Sequence, residues 1–216
     1  MTGSVAHVDF LVEGYSMKIF LETILPKILP DDLVFEVFDL GSKSQFLKKF
    51  PKRLAGYSSW MPDEYRVVLV VDADRDDCRE LRATMLTEID TSGLTVTSLR
   101  SSCQGQVLLC IAIEMLEAWF FGDARAIGEI YGKTFMNLRN RRGCRQPDEI
   151  RDPARRLESI LTNIPKHQAG LKKVDLVLDA TPHMDIENNT SNSFCRLRDG
   201  VRFLINSSQE SHAPSN

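Results

Sequence analysis

The chain has 216 residues, of which 43% are hydrophobic and 26% are charged, the composition of a globular protein that can bury a core. No apolar stretch approaches the roughly 18 residues of a membrane-spanning helix, and the first residues lack the charged and apolar regions of a signal peptide, so we expect a cytoplasmic protein. The five cysteines are scattered, odd in number and without a CxxC pair, which argues against a disulfide framework or a zinc ribbon.

Apolar runs rich in Val and Ile alternate with helical patterns through the first 123 residues. In chain order the pattern predicts a strand at 8–12, a helix at 17–25, a strand at 34–40, a helix that ends at Pro51, a strand at 65–71, a helix at 75–93, strands at 94–99 and 107–113, and a helix at 114–121. Short buried runs separated by helices are typical of βαβ units. We therefore expect an α/β fold with a mostly parallel sheet flanked by helices.

Beyond Asp123 the strand pattern disappears and helical spacing takes over. Helices are predicted at 124–131, 153–163, 171–180 and 193–205. The last ten residues are polar, as in a disordered tail. The sequence therefore predicts an α/β domain at 5–123, a helical C-terminal subdomain at 124–206 and a disordered tail at 207–216.

Charge is distributed unevenly along the chain. Residues 1–132 contain 13 Lys and Arg against 20 Asp and Glu, whereas residues 133–173 contain 11 against 4. An acidic part followed by a basic part suits a metal-dependent enzyme that acts on a polyanion, although a solvated basic loop would give the same counts. The candidates for contact with phosphate are Arg141, Arg142, Arg145, Lys172 and Lys173.

Carboxylates stand where three of the predicted strands end. Glu13 follows the first apolar run, Asp72 and Asp74 follow the run at 67–71, and Glu114 and Glu117 follow the run at 107–113. The carboxyl ends of parallel strands meet at one edge, where functional groups gather. At about 4 Å and an effective dielectric near 20, each like-charged pair costs roughly 4 kcal/mol, so such a cluster is expected to bind Mg²⁺ or Mn²⁺. For Glu114 and Glu117 the alternative is that acids favour the start of a helix.

Two of these motifs resemble a known family. Glu13-Gly14 after one strand and Asp72-Ala73-Asp74 after another are similar to the Toprim domain of topoisomerases, DnaG-type primases and OLD-family nucleases. The resemblance implies that this Glu and the two Asp bind divalent metal for phosphodiester chemistry.

A closer resemblance covers residues 10–123. The segments FLVEGYSMKIFLETILPKIL, VVLVVDADRDDC and IAIEMLEAWFFGD, with the later SNSFCRLRDGVRFL, are similar to an uncharacterised Toprim-like family found beside AAA-type ATPases in bacterial abortive-infection, anti-phage loci. This resemblance implies a nuclease subunit with a separately encoded ATPase partner, and it adds Glu114, Glu117 and Asp123 to the site. The chain itself has no P-loop, GxxxxGK[ST].

The hypothesis that follows is metal-dependent hydrolysis of DNA or RNA. Asp72 and Asp74 would hold the metal, Glu13 would be a ligand or a general acid/base, and Glu114 and Glu117 would complete the site. One alternative is an inactive metal-binding regulatory module that docks on the ATPase. Another is a phosphoacceptor domain, which predicts a stable acyl-phosphate on one Asp. Self-association is left open.

Overall fold

A four-stranded parallel sheet forms the centre of the fold. The computed structural model describes residues 4–206. The strands are β1 His7–Val12, β2 Val34–Asp39, β3 Tyr65–Asp72 and β4 Val107–Ala112. Their order across the sheet is β2-β1-β3-β4, and all three pairings are parallel. The predicted α/β fold with a parallel sheet flanked by helices is confirmed.

Helices cover both faces of the sheet. They are α1 Tyr15–Ile24, α2 Lys43–Trp60, α3 Cys78–Thr91, α4 Glu117–Gly122, α5 Ala124–Tyr131, α6 Pro153–Leu161, α7 Lys173–Ala180 and α8 Asn192–Ile205. Helices α2 and α3 pack on one face, and α1 with the helices from α4 onwards pack on the other. Each face of the sheet therefore has its own hydrophobic core.

The central strand β3 is buried on both faces of the sheet. Val67, Leu69 and Val71 point into the core beneath α2 and α3, whereas Val68 and Val70 point into the opposite core. All five are completely buried. A strand that is apolar on both faces belongs in the middle of a sheet covered on both sides by helices.

Helix α2 continues through Pro51, where the sequence predicted its end. Proline removes one hydrogen-bond donor and clashes with the preceding turn, at a cost of about 3 kcal/mol in a helix interior. The buried residues Phe46, Phe50, Leu54 and Tyr57 lie on both sides of the proline and pack against the sheet. The apolar burial of this stripe offsets the local cost, so packing overrides propensity.

The strand predicted at 94–99 is wrong. Val96 makes one isolated bridge to Val107, and Ser98 bridges Cys103 in the antiparallel sense. The chain thus folds back on itself at 98–103 and can pair with only the first residue of β4. Apolar alternation alone does not report this reversal, in which Ser102 adopts a positive φ of 49°.

The C-terminal helices share a core with the sheet. Helix α7 packs against α1, and α8 packs along β4. At the α8 contact, a Cβ on Gly200 would lie 3.0 Å from a methyl carbon of Leu108, so glycine permits the close approach. The division into 5–123 and 124–206 stays a prediction, and the tail at 207–216 lies outside the described residues. None of the helices in residues 4–206 combines the length and the hydrophobicity that a membrane-spanning segment requires.

Candidate metal centre at the carboxyl ends of the strands

The strand order creates a crevice between β1 and β3. The connection from β1 to β2 passes through α1 on one face, and the connection from β2 back to β3 passes through α2 on the other face. The chain therefore changes direction across the sheet between these two strands, and ligands in open α/β sheets bind at such a switch point. Glu13 follows β1 here, and Asp72 ends β3.

Backbone geometry brings Glu13, Asp72 and Asp74 to this crevice. The N–H of Asp72 donates to Oε2 of Glu13 at 3.3 Å. Gly14, at φ 80°, turns the chain after β1, and Asp74 adopts a left-handed φ of 52°, which Asp tolerates better than most residues. The N–H of Asp74 donates to the carbonyl of Glu114 at 2.6 Å. The predicted grouping of strand-end acids is thus present for these three.

The electrostatics of the crevice disfavour several ionised carboxylates at once. Burial, then the charge of Asp74, raises the pKa of Glu13 to about 7. Burial, then Glu117 and Glu13, raises the pKa of Asp72 well above its usual range. Both shifts have the same origin, because desolvation and like charge each penalise the anion. The site therefore carries an excess of negative charge that a proton or a cation can relieve.

Glu117 is the most buried of the acidic residues at the carboxyl ends of the strands. It is 2% exposed, and its Oε1 lies 3.0 Å from Nζ of Lys173. Its Oε2 is buried and has no hydrogen-bond partner within the described residues. Leaving such an acceptor unsatisfied costs about 1–3 kcal/mol, and more for a charged group. This oxygen can therefore accept a hydrogen bond or coordinate a cation.

Two lysines lie beside the acids, and one of them, Lys43, was not predicted from the sequence. Nζ of Lys43 donates to the carbonyl of Ala73 at 2.6 Å, and it lies 2.7 Å from Asp76 and 3.5 Å from Asp74. Lys43 is the first residue of α2, a position where the helix dipole disfavours a cation. That unfavourable placement is the sequence signal that could have found it.

Lys173 is the second cation, and the basic-segment prediction did include it. Burial lowers its pKa, but Glu117, Asp72 and Asp74 raise it by more, so the net pKa of Lys173 is above its usual value. Like Lys43, it begins a helix. Lys173 therefore remains charged beside the carboxylates.

Glu114 does not face the crevice in the same way. Its carbonyl accepts from Asp74, but its carboxylate accepts the N–H of Asp152 at 2.8 Å, at the start of α6. The helix predicted from Glu114 begins three residues later, at Glu117, because the intervening turn sends the N–H of Leu116 to Oδ1 of Asp72. Asp123 is likewise engaged elsewhere, accepting the N–H of Asp185.

The other basic candidates lie apart from these contacts. Arg141 stacks over the ring of Phe135 at 5.9 Å, and Arg142 and Arg145 are exposed. The backbone N–H of Lys172 donates to His167. Across residues 4–206, none of these four side chains forms an ion pair with a carboxylate. They remain candidates for phosphate contact, whereas Lys173 alone of the five predicted basic residues is in the acidic site.

The strand-end acids are spaced more widely than the ligands of a fully dehydrated ion. In the described part of the chain, three ligand atoms within 4.8 Å of one another are found for His7, Asp9 and Glu36, and not for the strand-end acids. Magnesium keeps several waters and is held by one or two carboxylates together with its substrate. A loose all-oxygen set around Asp72 suits such an ion better than a fully dehydrated one.

Fold and site together define an α/β protein with acidic side chains gathered at the switch point of a parallel sheet. The chain belongs to the DUF4276 family, since the model of this domain of unknown function matches residues 12–202. The match covers the whole acidic site from Glu13 to Lys173. Comparison with the curated proteins and with the solved structures found no match.

Proposed function

We propose that this protein is a Toprim-type, Mg²⁺- or Mn²⁺-dependent enzyme that hydrolyses phosphodiester bonds in DNA or RNA. The observation that carries the proposal is the unpartnered, buried Oε2 of Glu117, set beside Asp72. A buried carboxylate with a free acceptor, coupled to a second acid whose pKa is raised, is a site that lacks positive charge. A divalent cation supplies that charge with oxygen-only ligands.

The residues divide into three roles in this proposal. Asp72 and Asp74 hold the metal, which when bound lowers the pKa of the attacking water. Glu13 serves as general acid/base, because a carboxyl group with a pKa of about 7 can both accept and return a proton near neutral pH. Glu117 and Glu114 complete and brace the site.

Once a metal neutralises the acids, the two lysines are available to bind phosphate. Lys43 and Lys173 lie on the rim of the crevice at the start of α2 and α7. Their ammonium groups can then attract the phosphates on either side of the scissile bond. The exposed Arg142, Arg145 and Lys172, with the half-buried Arg141, extend the positive surface for a long polyanion.

The biological setting of the proposal derives from the resemblance of three segments to a Toprim-like family. We place the protein in the cytoplasm as the effector of an anti-phage, abortive-infection system. Because the chain has no P-loop, ATP hydrolysis would be supplied by an AAA-type ATPase encoded beside it. Self-association would be compatible with this arrangement.

The test is cleavage of single- and double-stranded DNA and RNA with Mg²⁺ or Mn²⁺, alone and with the ATPase. Asp72→Asn/Asp74→Asn is the test variant, since Asn keeps an oxygen to accept the N–H of Leu116. Asp31→Asn/Asp32→Asn removes the same charge from exposed positions. Metal-dependent cleavage lost in the first variant and kept in the second supports the proposal; no cleavage of any substrate, with or without the ATPase, contradicts it.

A second candidate is an inactive regulatory module that docks on the ATPase. The observation in its favour is that Lys43 and Lys173 already neutralise part of the acidic charge, as tethered cations would in a protein that had lost its metal. This candidate predicts that Asp72→Asn/Asp74→Asn weakens assembly with the ATPase. The nuclease proposal predicts unchanged assembly and lost cleavage.

A further inference from the structure

A second cluster of ligand-type side chains lies at the other end of the sheet. His7 is the first residue of β1, and Asp9 pairs in register with Glu36 of β2. One ligand atom from each of His7, Asp9 and Glu36 lies within 4.8 Å of the other two. His7 and Asp9 share the strand face that carries Leu11 towards α2, whereas the acids of the switch point follow the opposite end of β1.

The ligand groups are held in place from outside the cluster. Oη of Tyr57, on α2, donates to Oδ2 of Asp9 at 2.5 Å. Burial, followed by the interaction with Asp9, raises the pKa of Tyr57, so the phenol stays a donor. The imidazole of His7 stacks on Tyr65 at 4.4 Å. Outer groups that orient a carboxylate and an imidazole are a general feature of metal sites.

Open space adjoins the same three residues. A cavity of about 470 Å³ is lined by His7, Asp9 and Glu36 together with Lys52, Arg53 and Trp60. Its volume is that of a small-molecule site. Asp9 is buried, His7 half-buried and Glu36 exposed, so solvent access to the cluster increases from Asp9 to Glu36.

We propose that His7, Asp9 and Glu36 bind a divalent transition-metal ion of the Zn²⁺ type, with the remaining coordination position open to this cavity. Nε2 of His7 and Oδ1 of Asp9 lie 2.7 Å apart, and the ion would replace the proton between them. Imidazole with two carboxylates is a donor set for Zn²⁺, Co²⁺ or Mn²⁺, whereas Mg²⁺ takes oxygen ligands. Three protein ligands with one open position are the arrangement of zinc sites that act on a ligand.

The competing interpretation is a purely structural network, in which His7 and Tyr57 satisfy the buried carboxylate of Asp9. Both interpretations use the same hydrogen bonds, but only the metal site requires Glu36. Because Glu36 is exposed and forms no ion pair in the described structure, its removal would leave a structural network intact. Glu36→Gln is therefore a more informative variant than any change at Asp9.

The experiment is a titration of the purified full chain with Co²⁺, followed by visible absorption, and with Zn²⁺, followed by calorimetry. Tetrahedral Co²⁺ absorbs far more strongly than hydrated Co²⁺, and a thiolate ligand adds a separate charge-transfer band. We expect one equivalent of Co²⁺ to give tetrahedral absorption, with no thiolate band. His7→Gln and Glu36→Gln should each weaken binding at least about tenfold, and Tyr57→Phe about 10- to 100-fold.

The matched control is Asp72→Asn/Asp74→Asn, which changes the acids at the switch point and leaves this cluster untouched. It should retain the Co²⁺ spectrum, so the result is independent of the proposed nuclease activity. Unchanged binding in His7→Gln and Glu36→Gln overturns the proposal, as does wild type that binds neither Zn²⁺ nor Co²⁺. A thiolate band that persists in both variants assigns the metal to cysteine and also overturns it.

Discussion

Nζ of Lys173, on α7, lies 3.0 Å from Oε1 of Glu117, on α4. The pair joins a half-exposed cation to a carboxylate that is 2% exposed, and the other oxygen of that carboxylate is unpartnered. The lysine therefore stands where an additional positive charge is needed. Its contact with Glu117 makes helix α7 part of the acidic site, although 56 residues separate the two positions in the sequence.

Lys173→Ala is expected to destabilise the metal-free protein. Removing one partner of a buried ion pair costs about 3–5 kcal/mol, and because the Lys173 side chain is 45% exposed we expect solvent screening to reduce this to about 1–2 kcal/mol. Urea unfolding at pH 7 measures the loss, and the exposed neighbour in Lys172→Ala is the control. Mg²⁺ should recover more stability in Lys173→Ala than in wild type; equal stability of the two variants without metal would contradict the role of the pair.

Stability without metal should fall as pH rises through the titration of Glu13. The pKa of Glu13 is raised from 4.5 to about 7 in the folded protein, so the folded state binds this proton more tightly than the unfolded state. The stabilisation is fully present below pH 4.5 and is lost as pH rises towards 7.

Urea unfolding at a series of pH values in EDTA measures this slope. Glu13→Gln should flatten it, and Glu22→Gln, at an exposed position of α1, should leave it unchanged. A Mg²⁺ concentration that saturates the site should also flatten the wild-type curve, because the cation replaces the proton. A wild-type slope that Glu13→Gln does not alter would show that Glu13 is not the responsible group.

Lys43→Met should separate phosphate contact from metal binding. If Lys43 attracts the substrate, its removal lowers cleavage about 10- to 100-fold, which is less than the roughly 100- to 1,000-fold cost of losing a donor to the reacting oxyanion itself. Mn²⁺ affinity should not fall, because the substitution removes the ammonium group that competes with the metal beside Asp74 and Asp76. Lys48→Met removes an exposed lysine of the same helix and should keep full activity. Weaker Mn²⁺ binding in Lys43→Met would instead indicate that the loop holding Asp74 had moved.

The packing of α8 on β4 can be tested with a pair of glycine substitutions. Gly200→Ala places a methyl group 3.0 Å from Leu108 and should cost about 1–3 kcal/mol by overpacking. Gly56, inside α2, has no atom within 4 Å of its Cβ position, so Gly56→Ala should stabilise by about 0.5–1 kcal/mol. Thermal unfolding of both variants gives the comparison, and destabilisation by Gly56→Ala would show that α2 lacks the room ascribed to it.

Glu13, Asp72 and Asp74 could be placed together from sequence because parallel strands share one carboxyl edge. This argument needs only the direction of the strands, which the apolar runs and intervening helices indicate. The same argument fails for Glu114, because a turn of the backbone decides whether its carboxylate points to the crevice or to Asp152. Strand direction thus predicts where a site lies, and local hydrogen bonding decides which side chains take part in it.

Other features depended on contacts that sequence periodicity does not report. Helix α2 passes through Pro51 because a long apolar stripe outweighs one lost hydrogen bond. Segment 94–99 fails to become a strand because the chain reverses after it. Asp9 and Glu36 adjoin because β1 and β2 pair in one particular register, and register in a parallel pair is set by packing across the whole sheet.

Glu114 accepts hydrogen bonds from two separate segments of the chain. Its carbonyl receives the N–H of Asp74, and its carboxylate receives the N–H of Asp152 where α6 begins. Any displacement of the start of α6 must therefore either break the second bond or pull the first one with it. Through Glu114, a displacement of the C-terminal helices would therefore change the position of Asp74, a proposed metal ligand.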